Sequence, residues 1–509
     1  MPAEVRSKTK IEFEAPVAAG SGSERVPDPC VLVIFGASGD LTHRKLIPAL
    51  YSLEYRGLLP ENFAVVGVAR TENSTEAWRE KMRAAVAEFG RDPMHEDVWE
   101  RLAAGMHYVT TDFSSEGGES DVMKLLERLD KERGTQGNRV YYLAVPPTAI
   151  RAVVDKLGER SRPKGWLRLI VEKPFGHDFA SAKAMNEDIV THFAENEIFR
   201  IDHYLGKETV QNVLAFRFAN GIFEPIWNRR YVDSVQITVA ESIGIEDRAS
   251  FYESAGAIRD VVQNHMLQLL AITAMEPPAD FEADAVRNEK VKVVRALAPP
   301  EPAHVVRGQY GPGEVGGQKV PGYREEPGVS AQSDTETYVA LKVFVDNWRW
   351  AGTPFYLRTG KHLSSRSTTI VALFRPAPHP PFLEIAGAGL RPNVLIIHIQ
   401  PDEGISIRIG AKVPGQGMTI QPVHLDFEYD QAFHVQLPEA YEKLILDAML
   451  GDATLFTRID EVEAQWAFVD SVVAQWQDAK PDFPNYAAGT SGPKSADALL
   501  GRDKRAWCQ

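Results

Sequence analysis

The chain has 509 residues, a length that predicts two domains because a single core seldom organises so many. Its fractions of apolar (44%) and charged (25%) residues are typical of a soluble globular protein and exclude wholesale disorder or a fibrous repeat. The formal net charge of -14 argues against non-specific binding to nucleic acid or to anionic lipid. An anionic ligand must therefore be held by local clusters of basic side chains.

The cysteines and the first residues indicate the compartment. Cys30 and Cys508 are too few for a disulfide framework and offer no metal-ligand spacing, which favours a reducing environment and no bound metal. No apolar run approaches the roughly 20 residues needed to cross a bilayer. Residues 1–29 are polar, carry both charge signs and lack the apolar core of a signal peptide. We expect a cytoplasmic protein with a disordered N-terminal extension over residues 1–29.

The first ordered segment, residues 31–35, is a continuous apolar run typical of a strand buried on both faces. A helical pattern follows over residues 41–57. Further helical stretches then alternate with apolar strand candidates at 63–69, 106–109, 140–145 and 167–171. This alternation predicts an α/β fold with a Rossmann-like, doubly wound parallel sheet as the domain of residues 30–205.

The pattern changes in the second part of the chain, residues 206–509. Alternating β-rich runs occur at 232–241, 337–347, 353–358, 368–374, 393–400 and 405–412. They predict an α+β domain with a large, mainly antiparallel sheet. Helical patterns occur over 257–275 and 439–476. The Pro- and Gly-rich stretch 299–328 is expected to be a long surface loop.

A glycine-containing loop lies where the first strand turns into the first helix. Glycine lets backbone N–H groups approach a pyrophosphate, and the helix N-terminus adds partial positive charge. The loop lacks the full G-x-G-x-x-G spacing, so a plain tight turn remains the alternative. The candidate cofactor-binding residues of this loop are Gly36, Ala37, Ser38, Gly39, Asp40 and Leu41.

Arg70, which closes the second predicted strand, indicates which dinucleotide binds. The residue at this position lies near the adenosine ribose, where an acidic side chain suits NAD and an arginine accommodates the 2′-phosphate of NADP. The basic run at 43–45 adds charge near the loop, although it fits a solvated helix face equally well. We therefore expect NADP as the cofactor in preference to NAD.

The segment from Arg200 to Glu208 is the densest group of functional side chains, and we expect it to span about two helical turns. On a helix, His203 and Lys207 would face the same side because they are four residues apart. Such a pair suits a dianionic phosphate. Arg200 and Glu208 have no assigned chemistry and are expected to be structural.

Several segments together resemble the glucose-6-phosphate dehydrogenase family. They are the glycine loop and the stretches 171–176, 200–208, 259–265 and 357–361, in the order of that family, and the resemblance runs from about residue 31 to beyond residue 460. It implies oxidation of D-glucose 6-phosphate at C1 to 6-phospho-D-glucono-1,5-lactone, with hydride transfer to NADP+. This is the first step of the oxidative pentose phosphate pathway. A homodimer or homotetramer is expected, because a large sheet domain commonly provides a dimer face.

The resemblance also assigns roles to individual residues. His265 is the implied base, which suits a histidine because its pKa lies near the working pH, and Asp202 orients it. On an α-helix Asp260 would diverge from His265 by roughly 140°, so the two should not pair directly. The resemblance instead implies that Asp260 binds sugar hydroxyls. Tyr142 and Lys173 would contact the cofactor, and Tyr204 would donate its hydroxyl to the phosphate. The implied substrate-binding residues are Lys173, His203, Lys207, Glu241, Asp260, Lys361 and Arg366.

Each assignment has a simpler alternative. His265 fits a buried core histidine, Lys173 an ordinary surface ion pair with Glu172, and Asp260 an exposed pair with Arg259. At the level of function, the alternatives are another sugar or polyol dehydrogenase and a non-enzymatic NADP-binding regulator that kept the fold. The ordered match of all segments favours the dehydrogenase.

Overall fold

The computed structural model describes residues 25–159, 162–379, 391–415, 417–433, 437–476 and 480–508. Most of the expected N-terminal extension, residues 1–24, therefore lies outside the described residues. Residues 25–29 precede the first strand, and Pro27 is buried. The Pro29 carbonyl accepts a hydrogen bond of 2.8 Å from the Asn138 side chain. These contacts place residues 27–29 against the first sheet.

The first sheet contains six parallel strands, which are β1 Cys30–Phe35, β2 Phe63–Ala69, β3 Met106–Thr110, β4 Arg139–Leu143, β5 Leu167–Val171 and β6 Ile198–Arg200. Their spatial order is β3-β2-β1-β4-β5-β6, the order of a Rossmann-like doubly wound sheet. The predicted strands 63–69 and 167–171 match β2 and β5 to the residue. Every residue of β1, β2 and β4 is buried, which explains their continuous apolar sequences. The predicted fold of this part is confirmed.

Helices connect these strands. They are α1 Ile47–Tyr55, α2 Thr75–Phe89, α3 Glu96–Ala104, α4 Ser120–Arg133, α5 Pro147–Gly158 and α6 Phe179–Val190. The predicted helix 41–57 is a π-helical turn, Thr42–Leu46, followed by α1. Side-chain caps fix several starts: Ser74 accepts a hydrogen bond from Ala77 N at 3.0 Å and so begins α2.

The remaining strands, in chain order, are β7 Val232–Ala240, β8 Val305–Gly308, β9 Tyr310–Gly311, β10 Gly313–Val315, β11 Gln318–Val320, β12 Tyr338–Phe344, β13 Pro354–Gly360, β14 Ser367–Phe374, β15 Val394–Gln400, β16 Gly404–Lys412, β17 Ile420–Glu428 and β18 Tyr486–Ala487. In the described part of the chain, eight of them form a sheet ordered β17-β16-β15-β14-β7-β13-β12-β8. Only β7 and β13 pair in parallel there. The expected large, mainly antiparallel sheet is confirmed.

The expected surface loop at 299–328 is wrong in part. It contains β8, which pairs with β12 at the edge of the large sheet, and the hairpin β10–β11. Tyr310 and Tyr323 within it are fully buried and pack with Tyr486 and Tyr338. Strands of two to four residues are too short to produce a readable period, which is why the sequence pattern missed them.

The other helices are α7 Glu208–Phe218, α8 Ala249–Ala257, a π-helix Ile258–Met266, α9 Leu267–Ala274, α10 Ala283–Arg295, α11 Tyr429–Phe433, α12 Ala440–Leu450, α13 Ile459–Val473 and α14 Lys494–Gly501. The predicted helix over 257–275 is therefore a π-helix continued by α9. None of the described helices combines the length and the apolar character needed to cross a membrane.

The helix predicted over 200–208 is wrong. Residues 201–207 form a turn between β6 and α7. Asp202 Oδ1 accepts a hydrogen bond of 3.0 Å from Tyr204 N, a local bond that competes with helix formation. Gly206 packs so closely on α12 that an added Cβ would lie 2.6 Å from the Ala440 carbonyl oxygen. Arg200 is buried and pairs with Glu195 through its two terminal guanidinium nitrogens, at 2.7 and 3.0 Å, which is the structural role expected for it.

Candidate active site

A cavity of about 1210 Å³ lies where the turn after β6, the π-helix and the large sheet meet. The turn at 201–207 forms one wall, and the π-helix forms another. The ends of β5, β7 and β15 and the start of α12 also line it. Of the predicted residues, those that line it are Leu41, Lys173, His203, Tyr204, Lys207, Glu241, Asp260, His265 and Arg366.

His265 and Asp202 form a buried pair beside this cavity. Their side chains are 4% and 2% exposed, and His265 Nδ1 lies 2.5 Å from Asp202 Oδ1. A carboxylate only accepts hydrogen bonds, so Nδ1 carries the hydrogen and Nε2 presents its lone pair. The predicted orientation of His265 by Asp202 agrees with this geometry, whereas its alternative, a plain core histidine, does not place Nε2 at a cavity.

The electrostatics of the pair favour a neutral imidazole and an ionised carboxylate. Burial lowers the pKa of His265, and the charge of Asp202 offsets this only in part. Burial opposes ionisation of Asp202, but the hydrogen bond from His265 and nearby positive charge hold the pKa of Asp202 below its usual range. His265 is therefore available as a proton acceptor near neutral pH.

A pH titration tests this state of His265. The base-competent form should appear as the pH rises through a value below 6.5, because burial lowers the pKa of His265 from that reference. Imidazole signals followed by NMR from pH 4 to 8, in the wild type and in His265→Asn, would assign the midpoint. The phosphate of a sugar substrate titrates near pH 6 itself, so the free enzyme is the proper sample. A midpoint above 6.5 would contradict the neutral state.

Lys173 joins His265 to Asp260. Its Nζ lies 2.9 Å from His265 Nε2, 3.1 Å from the Asp260 carbonyl oxygen and 3.4 Å from Asp260 Oδ1. The expected divergence of Asp260 and His265 assumed an α-helix, and this assumption is wrong. In a π-helix the bonds link residues five apart, so both residues reach the same ammonium group. The surface-pair alternative for Lys173 is excluded by these contacts.

A cationic region forms the far wall. Lys207 Nζ donates a 2.5 Å hydrogen bond to Gln400 Oε1, and an Arg366 nitrogen lies 3.4 Å from the same oxygen. His203 reaches this wall with its ring 4.6 Å from that of His265. The turn thus brings His203 and Lys207 to one cavity, as predicted, although not through a helix. Gln400 was missed because nothing in the pattern of β15 marks its last residue.

Two tyrosines of the site differ from expectation. The ring of Tyr204 stacks on that of His265, with centroids 4.2 Å apart, and its hydroxyl lies 3.4 Å from Thr368 Oγ1. Tyr204 therefore restrains the imidazole, in addition to any contact with a ligand. Tyr441, which was not predicted, lines the cavity from α12 and stacks on His203 at 6.3 Å. More than 230 residues separate it from His203 in the chain, and no sequence pattern links the two.

Lys361 forms an ion pair with Glu241. Its side chain is 2% exposed, so Glu241 faces the cavity and Lys361 lies behind it. Direct contact of Lys361 with a substrate stays a prediction.

The glycine loop fits a dinucleotide pyrophosphate. Gly36 has φ +93°, and a Cβ there would overlap the Ala144 carbonyl oxygen, so a side chain is excluded at this point. The N–H groups of Gly36 and Ala37 already bond the Val68 carbonyl oxygen, at 2.9 and 3.2 Å. The helix starts at Asp40, and its first N–H groups are those suited to a phosphate.

Arg70 and Tyr142 differ in their access to a cofactor. Arg70 is exposed directly after β2, next to Thr71, whose hydroxyl donates to Ser38 Oγ at 3.2 Å. Tyr142 is fully buried in β4 and donates a 2.5 Å hydrogen bond to Glu172. Burial raises the pKa of Glu172 to about 7. The geometry places Arg70 beside the loop, whereas contact of Tyr142 with a cofactor stays a prediction.

Asp202, His203 and His265 are also close enough to hold a metal ion, with one ligand atom of each within 4.8 Å of the others. The hydrogen bond between Asp202 and His265 uses the facing atoms of both residues. The absence of a metal was expected from the sequence and stays a prediction.

Comparison with known proteins identifies the family. A model described as the NAD binding domain of glucose-6-phosphate dehydrogenase matches residues 33–212, and one described as the C-terminal domain of the same enzyme matches residues 214–508. The glucose-6-phosphate 1-dehydrogenase of Chlamydia pneumoniae is 48% identical over 499 residues, which are 96% of this chain and 98% of that protein. That of Bacillus subtilis is 44% identical over 483 residues, 94% of this chain and 98% of its own length.

Solved structures agree with this assignment. A glucose-6-phosphate dehydrogenase in complex with its substrate glucose-6-phosphate superimposes with a TM-score of 0.88 at 35% identity, over 95% of this chain and 99% of the other. The enzyme from Mycobacterium avium gives 0.79 at 35% identity, over 95% and 99% of the two chains. The resemblance inferred from the sequence is confirmed, and the chain belongs to the glucose-6-phosphate dehydrogenase family of NADP-dependent oxidoreductases.

Proposed function

We propose that this protein oxidises D-glucose 6-phosphate at C1 to 6-phospho-D-glucono-1,5-lactone and passes the hydride to NADP+, as the first step of the oxidative pentose phosphate pathway. The observation that carries the proposal is the buried His265–Asp202 pair, in which His265 lines a cavity that also contains Lys207, Arg366 and His203. The relatives that match nearly the whole chain bear the name of this enzyme.

In the proposed reaction His265 Nε2 takes the proton of the C1 hydroxyl. The C–H bond at C1 breaks with its electron pair, and a C=O bond forms between C1 and the hydroxyl oxygen. Bound NADP+ supplies the hydride acceptor. Asp202 fixes the tautomer of His265 and stabilises the imidazolium that results. Lys173 would contact both ligands.

The substrate phosphate is assigned to the cationic wall. Lys207, Arg366 and His203 lie on the cavity, in a chain whose net charge is strongly negative. A phosphate dianion gains charge-assisted hydrogen bonds from such groups. Asp260 and Glu241 offer carboxylate oxygens to sugar hydroxyls. We place the division between the nucleotide domain, 30–205, and the substrate domain, 206–509, at the turn that carries His203.

The direct test is NADP reduction, followed by absorbance, with glucose 6-phosphate and with unphosphorylated glucose. Turnover with glucose 6-phosphate alone is the expected result. Turnover with glucose but not with its phosphate would favour another sugar dehydrogenase. Lack of turnover with any sugar, despite NADP binding, would favour the non-enzymatic regulator.

Replacement of Arg70 by Ala is expected to weaken NADP binding by at least about tenfold and to leave NAD binding within about twofold. The lost group is a cation beside the 2′-phosphate position, and a charge-assisted hydrogen bond contributes about 1.5–3 kcal/mol. Dissociation constants of both dinucleotides from fluorescence titration provide the measurement. The control is Arg128→Ala, which removes an exposed arginine from α4, a helix that connects two strands of the first sheet. Equal losses for NADP and NAD would count against the 2′-phosphate role.

Assembly as a homodimer or homotetramer, in the cytoplasm, is likewise proposed. The outer strands β16 and β17 support it, because Ile409, Val423 and Leu425 are apolar and 36–56% exposed there. A second copy of the chain is the partner that such a sheet face suits. The mass of the purified protein by light scattering tests the assembly, and a monomer at micromolar concentration would contradict it.

A further inference from the structure

Glu336, just before β12, is a buried carboxylate that the proposed reaction does not use. It is 5% exposed and makes two contacts with the segment that begins the π-helix. The Ala257 N–H donates to its backbone carbonyl at 3.0 Å, and the Ile258 N–H donates to its Oε1, also at 3.0 Å. The first N–H groups of a helix have no partner within the helix, and an unpaired buried N–H destabilises the fold. Glu336 accepts hydrogen bonds from two of them, those of Ala257 and Ile258.

The chain turns a corner at this contact. Gly256 has φ +61° and ψ -179°, a conformation that favours glycine, and it kinks the end of α8 just before the π-helix. A Cβ at Gly256 would overlap the Glu336 carboxylate. The kink at Gly256 and the Glu336 carboxylate therefore pack against each other, and together they fix where the π-helix starts.

Two residues of the site depend on that start. Asp260 is two residues beyond Ile258, and His265 is seven, on a continuous helix. The contacts at risk are the 2.5 Å bond of His265 with Asp202 and the bonds of Lys173 to both helix residues. The next residue, Thr337, accepts a hydrogen bond of 2.9 Å from Lys361 N. The segment 336–337 thus holds the catalytic helix and the Lys361 strand end together.

We propose that Glu336 is a positioning residue for the oxidation, which caps the π-helix and so sets the place of His265 against Asp202 and the substrate. This inference rests on the proposed function. The role of Glu336 depends on the position of its side-chain oxygen, which accepts the Ile258 N–H, and not on a negative charge.

The surroundings support an acceptor role without a required charge. Burial raises the pKa of Glu336 to about 7, against the hydrogen bond from Ile258 N and the positive charges of Arg259 and Arg307. A protonated carboxyl keeps a carbonyl oxygen that accepts the Ile258 N–H equally well.

Two substitutions separate reach from charge. Glu336→Gln keeps an oxygen at the same distance and removes the charge, whereas Glu336→Asp keeps the charge and withdraws the oxygen by one methylene. We expect the Gln variant to retain at least half of the wild-type kcat. The Asp variant should lose about tenfold or more, because small displacements of catalytic groups cost rate steeply. Binding of NADP should stay within about twofold in both, since the first sheet is untouched.

The control is Asp130→Asn, which changes another carboxylate bonded to a backbone N–H. Asp130 is partly buried, accepts from Gly137 N at 3.1 Å and pairs with Arg139 of the first sheet. Its kcat should equal that of the wild type. Rates are divided by the concentration of NADP-binding sites, so that unfolded protein does not count. A kcat of the Asp variant within twofold of wild type would overturn the proposal, as would a larger loss in Gln than in Asp.

If the Asp variant does not fold, the Gln variant is used alone. A tenfold loss of kcat in Glu336→Gln would contradict the acceptor role, and a kcat of at least half the wild-type value would support it. Wild-type turnover with glucose 6-phosphate is measured in the same series. Its absence would mean that the proposed function has failed, whereas the positioning role fails only when the wild type is active and the variants do not differ as described.

Discussion

Replacement of His265 by Asn is expected to lower kcat by at least about a hundredfold, the lower end of the range for loss of a general base. Asn fills part of the buried site but offers no group that takes a proton near neutral pH. Among the described residues, His265 is the histidine whose Nδ1 bonds Asp202 while its Nε2 bonds Lys173. Binding of glucose 6-phosphate should stay within about threefold, because its phosphate is assigned to Lys207, Arg366 and His203 and not to His265.

Steady-state kinetics with a direct binding titration measure both effects. His177→Asn is the matched control, since the His177 side chain is 77% exposed and lies close to Arg259 at the edge of the same region. Its kcat should equal that of the wild type. A near-normal kcat for His265→Asn would show that another group removes the proton.

Replacement of Asp202 by Asn is expected to lower kcat by about a hundredfold or more, a loss of the kind seen when a base loses its orienting carboxylate. The amide removes the negative charge that stabilises the imidazolium and no longer fixes the hydrogen on Nδ1. Because the charge of Asp202 raises the pKa of His265, the pKa of His265 should fall further in the variant. His265 then stays neutral over a wider range, so raising the pH should not restore the rate.

Profiles of kcat against pH in the wild type and in Asp202→Asn provide the measurement. Asp178→Asn serves as the control, because Asp178 caps α6 through a 2.7 Å bond from Ser181 N and does not line the cavity. A rate that recovers fully above pH 8 would require a raised pKa of His265 in the variant and would contradict the predicted fall. A variant with normal kcat would remove Asp202 from the mechanism.

Much of the fold could be predicted from the sequence, because a buried strand or helix face requires apolar residues at regular positions. The strands β2 and β5 are continuous apolar runs since both faces of a parallel sheet are covered, and their bounds were predicted to the residue. β6 was missed because three residues carry no period. β17 was missed because its side chains are mostly exposed in this chain, so burial leaves no alternation.

The site was predicted in its residue types and not in its backbone. His265, Lys173 and Asp260 meet because the helix is a π-helix, and a pattern of apolar spacing does not distinguish five residues per bond from four. The turn that carries His203 depends on Gly206 packing against α12, a contact with a residue more than 230 positions later. Gln400 and Tyr441 likewise reach the cavity from distant segments. Such contacts follow from tertiary structure alone.

The Lys173 ammonium group donates a hydrogen bond to His265 Nε2, so it competes with a ligand hydroxyl for that nitrogen. An incoming hydroxyl must exchange with an ammonium group that already occupies the basic nitrogen. A measured affinity therefore reports the difference between two sets of hydrogen bonds, and not the strength of the ligand contacts themselves. Every sugar must displace the same Lys173–His265 hydrogen bond. Differences in dissociation constant between sugars are therefore more informative than any single dissociation constant.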